Sequence, residues 1–220
     1  MAERRRTSIP RLLIASGNPG KLSEYRELLA GCGLELASIE TGVAEDADSY
    51  AANAKLKAEA ACAAAGLPAL ADDSGLEVAA LDGFPGVRSA RLGATQQERH
   101  EQLFARLEGI PRPWRARFVC ALALAVPGRP TRVFTGNREG EVVEPRAGAG
   151  RTLPRIVGGV PGEAGGGGAG FGYDPIFLVP EVGKTFAEMT PGQKHRWSHR
   201  GAAVQALVES GALAEITATA

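Results

Sequence analysis

Arg11-Leu12-Leu13-Ile14-Ala15-Ser16-Gly17-Asn18-Pro19-Gly20-Lys21 decides the fold class. An apolar run from Arg11 to Ser16 reads as a strand and breaks at Gly17-Asn18-Pro19-Gly20. A helix follows from about Pro19, because Leu22, Tyr25, Leu28 and Leu29 recur at helical spacing. Gly31 and Gly33 supply its stop, and Leu34 to Ile39 reads as a second strand.

Outward from there the alternation continues. Glu40 to Asp48 is an acidic loop, and Ser49 is an N-cap for an Ala-rich helix that ends at Gly66-Leu67-Pro68. Ala69 to Ala71 is a short strand running into Asp72-Asp73-Ser74-Gly75. Asp82 to Gly86 is a turn cluster, and Thr95 with Glu98 forms a capping box for a helix through Leu107. Arg115 to Val126 is the longest strand, with Thr131–Asn137 and Gly140–Val143 as hairpin partners. Ile176 to Val179 is a further strand, and a last helix covers roughly Ser198 to Ser210. Strands alternating with helices, plus one antiparallel region, indicate an α/β fold with a mixed sheet. The expected organisation is a basic tail over 1–10, one domain over 11–213, and a C-terminal tail over 214–220. Between Pro145 and Gly170 the chain is Gly-rich, with Gly165 to Gly168 consecutive, and an insertion over about 146–170 is expected to be a mobile excursion.

Composition narrows the function. At 220 residues the chain is long enough for a substantial core, and 44% hydrophobic with 23% charged residues excludes a disordered chain, a fibre or a coiled coil. Twenty-five basic and 25 acidic residues leave no global field toward nucleic acid or an anionic membrane, so neither is expected as a partner. No apolar run reaches the ~20 residues of a membrane span. Cys32, Cys62 and Cys120 are odd in number and scattered, which fits buried thiols of a cytoplasmic protein. The run Arg4-Arg5-Arg6 is followed by too short an apolar stretch for a signal peptide.

Five segments carry candidate chemistry. Ser16-Gly17-Asn18-Pro19-Gly20-Lys21 is either a phosphate-cradling turn, with Lys21 as a point charge, or a plain strand-to-helix turn; it lacks the spacing of a Walker A loop. Asp72-Asp73-Ser74-Gly75 places two carboxylates at a strand end, suited to Mg²⁺, since a turn alone needs one Asp. Asn53 and Lys57 share one face of the Ala-rich helix behind Glu45, where lysines otherwise serve as solubilising charges. Phe171-Gly172-Tyr173-Asp174 sets a ring and free backbone beside a carboxylate, a combination suited to a planar base. Lys194, His199 and Arg200 form a cluster for an anion or a carbonyl oxygen. Trp197, Gly201, Val204 and Val208 give that segment a core-facing stripe, and His195 with His199 lacks a third partner for zinc.

The order of these segments resembles the inosine/xanthosine triphosphate pyrophosphatase family, the Ham1-type house-cleaning enzymes. The resemblance rests on Ser16-Gly17-Asn18-x-Gly20-Lys21, Asn53-Ala54-x-x-Lys57-Ala58 and Ala71-Asp72-Asp73-Ser74-Gly75-Leu76. Pro85-Gly86-Val87-x-Ser89-Ala90-Arg91, Phe171 to Phe177 and Ser198-His199-Arg200-Gly201 complete it, from Arg11 to about Leu213. It implies a two-lobed α/β fold around a long twisted mixed sheet flanked by helices, with the nucleotide in a cleft between lobes, and a homodimer. The implied activity is Mg²⁺-dependent hydrolysis of non-standard purine nucleoside triphosphates (ITP, dITP, XTP) to monophosphate and pyrophosphate. Carried over residue by residue, Ser16 to Lys21 and Lys57 hold the triphosphate. Asp73 is the proton acceptor and a metal ligand, with Glu45 a second ligand. Asn53, Ser74, Phe171, Gly172, Tyr173, Asp174, Lys194, His199 and Arg200 hold the nucleotide. The family often has an acidic residue where this chain has Ala52, and its connection into the Phe-Gly-Tyr-Asp block is usually shorter. A phosphoryl or nucleotidyl transferase would need an acceptor other than water. An RNA-binding protein led by the Arg4–Arg6 tail would place Asp72 and Asp73 against its own ligand.

Overall fold

The computed structural model describes residues 9–145 and 172–217. The Arg4–Arg6 run, the Gly-rich insertion over 146–170, Phe171 and the last three residues lie outside the described residues.

Five elements make up the N-terminal part: β1 (Arg11–Ala15), α1 (Pro19–Leu28), β2 (Glu35–Ile39), α2 (Tyr50–Ala65) and β3 (Ala69–Val78). Then come α3 (Gln96–Leu107), β4 (Trp114–Ala125), β5 (Arg132–Val142), β6 (Phe177–Val179) and β7 (Lys184–Thr185), followed by α4 (Pro191–Trp197), α5 (His199–Glu209) and α6 (Ala214–Thr217). The strands form one mixed sheet in the order β2-β1-β3-β4-β5-β6-β7. β1 runs parallel to β2 and β3, and β6 runs antiparallel to β5 and β7. No helix among the described residues is long and apolar enough to cross a membrane.

Local chemistry sets most element ends where the sequence places them. Asn18 caps α1 by accepting the Gly20 N–H at 2.9 Å, with Pro19 in the first turn. Ser49 caps α2 through the Ala52 N–H at 3.2 Å, so the helix starts cleanly without an acidic first turn. Gly66, with φ of 66°, closes α2 in the left-handed conformation. Thr95 and Glu98 form the expected capping box of α3.

Three expectations are corrected. The strand at Ala69 does not end at Asp72: β3 runs ten residues, straight through Asp72-Asp73-Ser74-Gly75. Asp, Ser and Gly are poor strand formers, and here tertiary partners override that preference. The two hairpin pieces after Thr131 are one continuous strand, β5. The stripe from Trp197 to Val208 also divides, because Trp197 belongs to α4 and Val208 is exposed, while Gly201 and Val204 are buried. His195 and His199 accordingly sit on different helices.

The chain divides into two compact units, and β3, β4 and β5 contribute residues to both. The first comprises 1–74, 120–137 and 199–220. Its core joins Leu12 and Ile14 of β1, Tyr25, Leu70, Leu122, Leu124, and Val204 with Leu207 of α5. β1 is buried on both faces, as a central parallel strand must be. α5 packs closely on β5: a Cβ at Gly136 would lie 2.3 Å from the backbone of His199 and of Ala203. The second unit, 75–119 and 138–198, has its own core of Leu76, Leu103, Leu107, Trp114, Val142 and an aromatic group. There Phe118, Phe177 and Phe186 pack with centroids 4.7 to 5.7 Å apart.

Gly136→Ala should therefore lower stability by about 1–3 kcal/mol or more, because the obstacle is backbone and cannot rotate away. Gly192→Ala, with nothing within 4 Å of its Cβ, serves as the comparison and should leave stability unchanged or raised. Urea denaturation of the two variants checks this; equal midpoints would contradict the close packing of α5 on β5.

Candidate active site

Within the first unit, β3 carries two adjacent carboxylates whose surroundings are opposite. Successive strand residues point to opposite faces, so Asp72 and Ser74 share one face and Asp73 the other. On the first face the buried Asp72 carboxylate lies 3.1 Å from Lys21 Nζ at the start of α1 and 3.0 Å from Arg200 Nη2 on α5. Ser74 Oγ donates to it at 3.3 Å. Arg200 Nη1 reaches Glu24 of α1 at 2.5 Å. Burial alone would push Asp72 up, but Lys21, Arg200 and Lys57 outweigh it and hold the carboxyl far below the usual range. Asp72 and Glu24 likewise outweigh burial at Arg200 and hold its guanidinium charged.

On the other face, Asp73 accepts from Asn53 Nδ2 at 2.8 Å and from the Ser74 N–H at 2.8 Å. Burial raises its pKa despite the Asn53 bond and the nearby Lys57. Asn53 is itself fixed, because its Oδ1 accepts the Ala47 N–H at 2.9 Å and ties α2 to the acidic loop. Lys57, one helical turn on, donates to the Asp72 carbonyl at 2.7 Å and to Glu45 Oε1 at 2.5 Å. It is buried, which corrects the reading of this lysine as a solubilising charge.

A pocket of about 160 Å³ lies between the β1–α1 turn, the acidic loop and α2. Ser16, Gly17 and Lys21 form one wall; Glu40, Glu45 and Lys57 are among the others. Ser16 Oγ accepts the Asn18 N–H at 3.1 Å, which holds the turn, and Pro19 and Gly20 open α1 with no acidic residue in the first turn. A Cβ at Gly17 would lie 2.9 Å from the Glu40 carboxylate, so a side chain there would displace the end of Glu40. A larger open hollow of about 700 Å³ over α1 and β2 is lined by none of the candidate residues.

The structure thus brings together Ser16 to Lys21, Glu45, Asn53, Lys57, Asp73, Ser74 and Arg200; His199 is buried in the same unit. Gly172, Tyr173, Asp174 and Lys194 belong to the second unit, where Lys194 Nζ pairs with Asp174 at 2.6 Å. Sequence reasoning passed over Glu24, Glu40 and the role of Asp72. Glu24 carried a signal, lying three residues after Lys21 on the same helix face; Glu40 carried none.

Among the described residues no three His, Cys, Asp or Glu side chains gather to hold a metal. Asp73 and Glu45 nevertheless fit a hard divalent ion. Each Asp73 oxygen accepts one hydrogen bond and keeps a lone pair, and Glu45 lies near enough to raise the Asp73 pKa. Two carboxylates with water completing the shell are the donor set that Mg²⁺ takes.

Paired carboxylates driven to opposite basicity beside two lysines are an arrangement that enzyme sites use. The Ham1 family model matches residues 12–152 and 155–210. A dITP/XTP pyrophosphatase of Thermus thermophilus is 44% identical over 207 residues, covering 91% of each chain. That of Gloeobacter violaceus is 44% identical over 199 residues, covering 90% of this chain and 92% of its own. Among solved structures, the Ham1 protein of Staphylococcus aureus superposes with a TM-score of 0.72 at 34% identity, covering 93% of this chain and 99% of its own. A Coxiella burnetii HAM1 protein gives 0.73 at 36%, covering 94% and 99%. The chain belongs to the Ham1 family.

Asp72→Ala leaves Lys21 and Arg200 facing a buried void with one counter-charge fewer. Removing one partner of a buried pair costs about 3–5 kcal/mol, so the variant should melt far below wild type or fail to fold. A melting temperature within a few degrees of wild type, by calorimetry, would show that the charges rearrange freely.

Proposed function

We propose that this chain is a nucleoside triphosphate pyrophosphohydrolase. Its substrates are non-standard purine nucleotides (ITP, dITP, XTP), which it hydrolyses between the α- and β-phosphates to monophosphate and pyrophosphate. The carrying observation is the buried Asp73 carboxylate, held by Asn53 and the Ser74 N–H in the unit where Ser16, Gly17, Lys21 and Lys57 line one pocket.

Phosphoryl transfer asks mainly for charge and position. Lys21 and the turn at the α1 N-terminus take the phosphate oxygens, the turn through its backbone and Lys21 through its ammonium. Lys57 adds a second charge. Both lysines are already held, by the Asp72 carboxylate and the Asp72 carbonyl respectively, so little reorganisation is needed as substrate arrives. Asp73 takes the proton from the attacking water, a role for which a raised pKa suits it. Asn53 fixes the carboxylate for that task. Mg²⁺ would be held by Asp73 and Glu45, and it supplies positive charge to the phosphates and lowers the pKa of water. Arg200 is better suited to holding Asp72 than to touching the base, since its guanidinium is engaged by Asp72 and Glu24. Lys194, His199 and the backbone at Gly172 to Asp174 are assigned to the nucleotide, with the whole family-matched length acting as one functional domain and as a homodimer.

Base selectivity follows from donors at the base. Inosine and xanthosine present a 6-oxo acceptor, whereas adenine presents a 6-amino donor and leaves donor facing donor. One such mismatch costs about 1–3 kcal/mol, or ~10 to 200-fold in kcat/KM.

Pyrophosphate release from ITP, dITP, XTP, ATP and GTP, with and without Mg²⁺, is the test. ITP and XTP should exceed ATP by at least ~10-fold in kcat/KM; equal values would remove base recognition from the reading. Asp73→Asn keeps the shape and loses the proton acceptor, and should lower kcat by at least ~10²-fold. Near-wild-type turnover in that variant would assign the base elsewhere.

A further inference from the structure

We propose that Arg99 and His100, consecutive residues of α3, are positioning residues that hold the Gly172–Asp174 backbone in the conformation that reads the purine base. They thereby set selectivity without touching the nucleotide. The inference rests on the function proposed above; neither residue lies in a motif that carries the family resemblance.

All the observations lie within the second unit. His100 Nε2 is 2.5 Å from the Gly172 carbonyl oxygen. A carbonyl only accepts, so the ring carries its proton on Nε2 and donates it. The ring also packs near Tyr173, with centroids 6.0 Å apart. Arg99 approaches Gly172 from its Cα side. A Cβ there would lie 2.8 Å from Arg99 Nη2 and 2.9 Å from Nε, so a side chain at this position would displace the guanidinium. Arg99 is anchored in turn, since its Nη1 donates to the Gly93 carbonyl at 3.0 Å.

The next two residues are pinned by other elements. The buried Tyr173 hydroxyl donates to the Ser89 carbonyl at 2.9 Å, and Ser89 Oγ accepts the Leu76 N–H of β3 at 2.9 Å. Asp174 is paired with Lys194. Gly172 is the member of the three with no side chain of its own to pack. Glycine loses more conformational freedom on being fixed than any other residue. A backbone that discriminates 6-oxo from 6-amino must present its N–H groups already in place, because an adaptable loop pairs with either. At Gly172 that order comes from Arg99 and His100.

The test compares kcat and KM for ITP and ATP in wild type, His100→Leu, His100→Gln and Arg99→Met, with melting temperatures alongside. His100→Leu should raise KM for ITP and lower the ITP-over-ATP ratio, each by about tenfold, with a much smaller change in kcat. His100→Gln offers an amide N–H to the same carbonyl and should recover most of the ratio. Arg99→Met keeps the apolar stem, loses the guanidinium and should also lower the ratio. A folded His100→Leu that loses ITP and ATP turnover equally would overturn the proposal, as would a Gln variant no better than Leu. Should His100→Leu not fold, Arg99→Met and His100→Gln decide: an unchanged ratio in Arg99→Met overturns it. Wild-type protein that releases no pyrophosphate, or treats ITP and ATP alike, marks failure of the functional reading itself and shows before any variant is made.

Discussion

One carboxylate in the middle of a strand constrains the first unit. Asp72 is buried, and an isolated carboxylate at such a depth would give up its charge. It stays charged because Lys21 from α1 and Arg200 from α5 converge on it, while Lys57 from α2 binds its backbone carbonyl. Three helices are therefore located by their cations relative to a single residue of β3. Well-packed apolar residues of the same volume could stabilise the fold as well or better. The ionic arrangement does something else: it fixes two ammonium groups beside one pocket, at a spacing that the binding of the proposed triphosphate would not have to create.

The same strand explains how two neighbouring carboxylates serve different ends. Because the side-chain period of a strand is two, Asp72 meets the cations of α1 and α5, and Asp73 meets the neutral amide of Asn53. Charge pairing holds the first well below the usual carboxylate range, and burial raises the second. Environments that drive two like groups apart in pKa are the usual source of distinct acid–base roles in one site. The division would not survive a turn at this position, where both carboxylates would face water.

That point also marks what the sequence could not reveal. The β1–α1 turn, the Ser49 cap and the Thr95–Glu98 capping box are legible because their partners lie within three residues, so local chemistry is decisive. Asp72-Asp73-Ser74-Gly75 reads as a turn because its strand conformation depends on groups far along the chain; Arg200 follows Asp72 by 128 positions. Lys57 reads as a surface charge for the same reason, its partners being a carbonyl on another element and a loop carboxylate. β5 reads as two pieces because Gly136, Asn137 and Gly140 have low strand propensity. Gly136 and Gly140 are there to let α5 and Phe177 approach, which only the packed structure displays. His195 and His199 show the converse, a helical spacing that means nothing once a helix boundary falls between them.

The two units are ordered by different physics, and this bears on what each can discriminate. Phosphates are common to every nucleoside triphosphate, so a site made of fixed lysines and a glycine turn attracts all of them alike. Rejecting one purine in favour of another needs directional hydrogen bonds whose failure leaves a group unpaired. Directional bonds require a rigid backbone. The second unit supplies it with a Phe118–Phe177–Phe186 core and with side chains that tie down Gly172, Tyr173 and Asp174 one after another. Under the proposed function, charge in the first unit would govern affinity for the triphosphate and the rate of its cleavage, while packing and carbonyl-directed hydrogen bonds in the second would govern the choice of base. Residues on which that choice depends are thus to be sought among those that hold the backbone, as well as among those that face the ligand.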